Sequence, residues 1–189
     1  MTGGDRSRSA GAPAHVVLVG LMGSGKSTVG ALVAEGLGRP LVDVDVVIEA
    51  QTGMTVRELW ERGGEAAYRP LERDVVVHAL STDGPDVVAV PGGGVEEELV
   101  RTALVAADTY TVWLRADPVT LAERVGRSDH RPLVGADPLA VLEHQSTERS
   151  ATYADLADLI LDLDDRSPED LAGTIAAAAT EAAAPSPPP

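Results

Sequence analysis

Short runs of aliphatic and β-branched residues alternate along this chain with longer stretches whose apolar positions recur at helical spacing. The runs at 15–20, 41–45, 86–90, 109–115 and 159–163 are bounded by turn signals and read as strands. Helical patterns fall over 26–37, 46–62, 65–80, 95–107, 117–125, 137–152 and 168–182, several of them opened by Asp, Ser or Pro. No segment repeats another. Regular alternation of strand and helix predicts an α/β fold, a three-layer α/β/α sandwich in which a five-stranded parallel sheet carries helices on both faces. Ligands in such sheets lie beyond the carboxyl ends of the strands, so the residues that follow each strand are where chemistry is expected.

The first 14 residues are polar and rich in Gly, Ser and Arg, and the chain closes on Pro-Ser-Pro-Pro-Pro. Both ends, 1–14 and 183–189, read as flexible tails around a single domain over 15–182. A length of 189 residues with 44% hydrophobic content suits one core rather than two. No apolar run approaches the roughly 20 residues of a spanning helix, and the N-terminus carries no apolar signal core, which predicts a cytoplasmic protein. Cysteine is absent, so any metal has to bind through oxygen.

Charge narrows the partners. A net charge of -15 opposes binding to nucleic acid or to an anionic membrane, both of which need a basic field. A small anion remains possible where guanidinium groups clamp it locally. Small-molecule substrates and a monomeric state are therefore the expectation.

The first predicted strand runs into Gly20-Leu21-Met22-Gly23-Ser24-Gly25-Lys26-Ser27-Thr28, which fits G-x-x-x-x-G-K-[ST] and precedes a helical pattern. Glycines let backbone N–H groups curl around a phosphate, and the helix N-terminus adds partial positive charge. Lys26 is the only lysine in the chain. In this motif it meets the β- and γ-phosphates while Ser27 offers an oxygen to Mg²⁺, with Gly23, Ser24, Gly25 and Thr28 completing the nucleotide cradle. The second strand ends in Asp43-Val44-Asp45, where period-2 alternation would turn both carboxylates to one side. One could serve the metal and the other accept a hydroxyl proton, or one could simply cap the following helix.

Several further motifs fall in a fixed order: Ile48, Gly53, Gly64-Glu65-Ala66-Ala67-Tyr68-Arg69 with Glu72, Gly92-Gly93-Gly94 and Arg131-Pro132-Leu133. Together with the phosphate loop and the acidic pair, this set resembles the shikimate kinase family over roughly residues 15–170. The resemblance implies a nucleoside monophosphate kinase-like fold with a substrate-binding region over 46–80 and a lid over 126–136. It implies ATP as co-substrate with Mg²⁺, and shikimate as the acceptor. Asp45 would bind the substrate hydroxyls and act as base, and Asp43 would stand in the Mg²⁺ shell with Ser27. Arg69 and Arg149 would grip the substrate carboxylate, Gly92, Gly93 and Gly94 would line the ring, and Trp60 and Tyr68 would form its apolar wall. Arg131 would reach over the phosphates from the lid, and Arg124 and Pro168 would sandwich the adenine.

Departures from the family pattern bear on the acceptor. Phenylalanine is absent, so Trp60 and Tyr68 stand where the family usually places it. Pro70 follows Arg69 inside a predicted helix, where a missing N–H and a steric clash should kink the chain and turn Arg69. Ala151-Thr152 replaces an expected Pro-Leu before Tyr153. A kinase for another polyol or cyclitol acid, such as gluconate, is the runner-up, and a non-catalytic nucleotide-binding protein is the next alternative. A GTPase would need Asn-Lys-x-Asp, which a chain with its single lysine at position 26 does not contain.

Overall fold

The computed structural model describes residues 15–106, 108–125, 137–163 and 166–183. The predicted tail over 1–14, the lid over 126–136 and all but the first residue of the predicted tail over 183–189 lie outside these residues. Five parallel strands form one sheet: β1 (His15–Val19), β2 (Leu41–Asp43), β3 (Val87–Ala89), β4 (Thr109–Arg115) and β5 (Leu159–Asp162), in the order β2-β3-β1-β4-β5. Alternation along β1 shows why helices cover both faces. Val16 and Leu18 point into one apolar layer and Val17 and Val19 into the other, and all four are buried.

The first layer is closed by α1 (Lys26–Leu37) and α7 (Pro168–Ala182), which pack on each other and contribute Val29, Val33, Leu171 and Ile175. The second is closed by α2 (Val44–Thr52), α3 (Val56–Leu80), α4 (Glu98–Ala106) and α6 (Pro138–Leu156), with Ile48, Tyr68, Val76, Leu104, Leu142 and Tyr153 buried in it. Helix α5 (Pro118–Val125) packs along α6. Among the described residues no helix is long and apolar enough to cross a membrane.

The strands match the sequence reading to within one residue at each end, except the second. There the predicted strand over 41–45 stops at Asp43. The Asp43 carboxylate accepts the backbone N–H of Asp45 at 3.1 Å and caps α2, so the chain turns helical at Val44. Asp45 therefore stands in the first turn of a helix, and period-2 alternation is not what sets the two carboxylates.

The helical segment expected over 46–62 is also cut differently. Gly53 closes α2 with a φ of 67°, and Thr55 restarts the chain. Its hydroxyl accepts the Glu58 N–H while the Glu58 carboxylate accepts the Thr55 N–H, a reciprocal cap worth about 1 kcal/mol. Helix α3 then runs on to Leu80. Its one non-helical residue is Gly64 (φ 59°, ψ -151°), in the gap that the sequence left between 62 and 65. The kink expected at Pro70 thus falls six residues earlier, where glycine tolerates it.

Two further boundaries moved. The helix over 95–107 resolves into a 3₁₀ turn (Gly94–Glu96) followed by α4. Helix α6 continues past 152 to Leu156, because Tyr153 and Leu156 extend its buried stripe.

Candidate active site

The central strand β1 hands the chain to the phosphate loop at Gly20, whose φ is 144°, and Gly23 and Gly25 follow at 81° and 83°. These values belong to glycine. A Cβ added at Gly20 would lie 2.5 Å from the carbonyl oxygen of Leu114 in β4, so the strand exit leaves room for hydrogen only. Gly25 opens α1 without a side-chain cap, and the first N–H groups of that helix are the kind that bind anions. The Lys26 ammonium donates to the carbonyl oxygens of Gly20 at 2.8 Å and Leu21 at 2.9 Å, which folds the side chain across its own loop.

Beside this loop lies a cavity of about 550 Å³. Gly23, Gly25, Lys26, Ser27 and Thr28 line it, and so do Asp43, Asp45 and Glu49. Gly92 and Arg124 also reach it. Ser24 is buried within the loop. Phosphate loop and acidic pair therefore open onto the same space, as the sequence reading required, although Asp43 both caps a helix and faces the cavity.

From Asp45 a network of side chains leads through Tyr68 to Trp60, Arg69 and Glu72. The phenol of Tyr68, fully buried, donates to Asp45 Oδ1 in a short hydrogen bond. Tyr68 also packs on Trp60 with ring centroids 5.8 Å apart, so it is wall and polar support at once. Arg69, whose guanidinium lies 5.9 Å from the Trp60 ring, is held by Glu72 at 2.7 Å and Glu65 at 2.6 Å. Burial alone would lower the guanidinium's pKa, but Glu72 and Glu65 outweigh it and hold it above its ordinary value. Despite Pro70, Arg69 is thus tied into a fixed position.

Arg149 on α6 approaches Arg69 through a residue that the sequence did not single out. Glu96 Oε2 lies 2.7 Å from Arg149 Nη2 and 3.7 Å from Arg69 Nη2. The glycine triplet explains how these groups fit. Gly92 meets the phosphate loop, where a Cβ would come within 3.1 Å of Gly20 O, and a Cβ at Gly93 would run into the Arg69 guanidinium. At Gly94 it would meet Val90 at 2.9 Å and the Glu72 carboxylate at 3.6 Å. Tyr153 locks the triplet from below by donating to Gly92 O at 2.5 Å. Burial pushes its phenol well above the usual range, so it stays a donor.

Other expected residues are less closely joined. Pro168 heads α7 and is not among the described residues that line the cavity. Arg131 lies outside the described residues. Glu49, which accepts the Val56 N–H at 2.9 Å while lining the cavity, carried no sequence signal beyond its place in a helical pattern.

A phosphate loop at the carboxyl end of the central strand, sharing one cavity with a carboxylate pair, defines a P-loop phosphotransferase. The chain belongs to the shikimate kinase family, whose model matches residues 22–180. It is 44% identical over 161 residues to a shikimate kinase of Brucella canis, covering 85% of this chain and 79% of that one. A shikimate kinase of Symbiobacterium thermophilum is 42% identical over 164 residues, covering 85% of this chain and 93% of the relative. Among solved structures, shikimate kinase from Acinetobacter baumannii in complex with shikimate superposes with a TM-score of 0.82 at 30% identity, covering 89% of this chain and 93% of the other.

Proposed function

We propose that this chain transfers the γ-phosphoryl group of MgATP to the 3-hydroxyl of shikimate. The observation that carries this reading is the shared cavity: loop residues Gly23, Gly25, Lys26, Ser27 and Thr28 line it together with Asp45. The loop amides and Lys26 would hold the phosphates, with Lys26 exchanging its carbonyl partners for phosphate oxygens. Asp45, steadied by Tyr68, would accept the hydroxyl proton as the acceptor oxygen bonds to the γ-phosphorus and the bond to the β-bridging oxygen breaks, leaving ADP. Arg69 and Arg149 would bind the substrate carboxylate, with Trp60, Tyr68 and Gly92 to Gly94 around the ring.

Ser27 and Asp43 fit a role in holding Mg²⁺. Both line the cavity, and the Asp45 N–H engages only one oxygen of Asp43. Among the described residues no group of three or more His, Cys, Asp or Glu could hold a metal ion, so Ser27 and Asp43 would hold it jointly with phosphate oxygens. When bound, the ion offsets phosphate charge. Arg124, which lines the cavity, would flank the nucleotide base.

The test is ADP release by the purified protein with MgATP and a panel of shikimate, quinate and gluconate. Turnover is expected with shikimate and far less with the other two. If shikimate gives no ADP above background, the assignment fails.

A further inference from the structure

The two guanidinium groups assigned to the substrate carboxylate already share a carboxylate. Glu96 Oε2 bridges Arg69 and Arg149, and Arg69 is held in addition by Glu65 and Glu72. Three carboxylates therefore surround two guanidiniums before any substrate arrives, and the cluster is net acidic. An anionic acceptor entering it meets repulsion unless one carboxylate leaves.

Which one can leave is decided by burial and anchoring. Glu72 is fully buried in the side chain, so releasing it would strand a charge in the core. Glu65 sits on the turn of α3 preceding Arg69 and touches that arginine alone. Glu96 differs from Glu72 in exposure and from Glu65, which is 61% exposed, in reaching both arginines. Its side chain is 43% exposed, so it can swing into water at little cost, and it is the group that spans both arginines. Its backbone is pinned separately, because Arg101 Nη1 donates to the carbonyl oxygens of Val95 at 2.9 Å and Glu96 at 2.5 Å. Side-chain release therefore need not disturb the 3₁₀ turn or the glycine triplet before it.

The arginines also keep donor capacity that Glu96 leaves unused. The buried Nε–H of Arg149 has no acceptor among the described residues, and Glu96 bridges the pair through a single oxygen. A ring carboxylate presenting two oxygens would offer what Glu96 does not.

We infer that Glu96 is a resident competitor for the substrate carboxylate, occupying the Arg69–Arg149 clamp in the free enzyme and yielding it on binding. It would then be a specificity-determining residue that sets acceptor affinity without touching the phosphoryl-transfer step. This inference rests on the shikimate reading of the same clamp. A substrate without a carboxylate could not displace Glu96, so the device also disfavours neutral polyols.

The experiment compares wild-type protein with Glu96→Gln and Glu96→Ala, using shikimate and shikimate methyl ester as acceptors at saturating MgATP. Removing the charge is expected to lower KM for shikimate by about tenfold, as for a partly exposed ion pair freed for a ligand. kcat should stay within about twofold and KM for ATP should not move, since the clamp acts on ground state and transition state alike. The ester should gain nothing. Calorimetric titration of shikimate into each protein runs in parallel. Tighter binding by the Gln variant supports the inference whether or not ADP is released, so a failed kinase assignment shows separately as binding without turnover. Shikimate binding that is equal or weaker in both variants, or absent from all three proteins, overturns it. Unchanged thermal midpoints establish that the variants are folded.

Discussion

The two regions assigned to phosphate and to acceptor would hold their ligands by different means. The phosphate end is nine consecutive residues, Gly20 to Thr28, in which glycine dihedrals set the shape and backbone amides and one lysine would do the binding. The proposed acceptor end draws Asp45, Tyr68, Arg69, Glu72 and Arg149 from α2, α3 and α6, and would bind through side-chain charge. Local backbone geometry tolerates changes elsewhere in the molecule. A clamp of opposed charges depends on its buried member, because the Arg69 guanidinium is positioned by Glu72, a carboxylate that must itself be neutralised.

Mutations at the two ends should therefore fail in different ways. The largest effect belongs to the phosphate end: Lys26→Met should lower kcat/KM by more than about 10³-fold, with weakened nucleotide binding in an equilibrium titration, while the thermal midpoint barely shifts. A loss below tenfold would mean that phosphate charge is met elsewhere. At the acceptor end the next largest effect falls on stability. Glu72→Ala leaves the Arg69 guanidinium without its buried partner and should cost about 3 kcal/mol in denaturant unfolding. Wild-type stability in this variant would show the pair to be spare. The smallest is Tyr68→Phe, which deletes one hydrogen bond to Asp45. A drop of about tenfold to 150-fold in kcat is expected, with KM for ATP unmoved, since a bond to a charged group is worth roughly 1.5–3 kcal/mol. If KM for ATP moved with kcat, Tyr68 would be acting on the fold as a whole rather than on the base.

The same contrast explains what could be read without coordinates. Sheet, helices and phosphate loop were legible because each is specified by contiguous pattern: aliphatic runs, helical periodicity, and a glycine spacing with a fixed backbone meaning. Asp43 and Asp45 were singled out in the sequence and do share the cavity, but with partly the wrong local geometry. A carboxylate that caps a helix shortens its strand by two residues, and alternation cannot register that. At Pro70 the sequence signalled strain but not where it would be absorbed, since Gly64 offered a less costly break six residues away.

Glu96 was invisible for a different reason. In Glu96-Glu97-Glu98 nothing distinguishes one acidic residue from the next, and only the 3₁₀ turn decides which of them meets Arg149. The hydroxyl of Tyr68 was visible, but its partner 23 positions away was not. Pairings of this kind are set by tertiary packing, and a pattern along the chain does not carry them.

The account stands or falls on nucleotide and acceptor meeting in one cavity while being held by separable machinery. Asp45→Asn tests this most directly, with ATP affinity by calorimetry and shikimate-dependent ADP release measured on the same preparation. ATP should bind within about threefold of wild type while turnover falls by at least about 10²-fold, the loss of a positioned proton acceptor. Turnover equal to wild type, or loss of nucleotide binding together with turnover, would contradict the account.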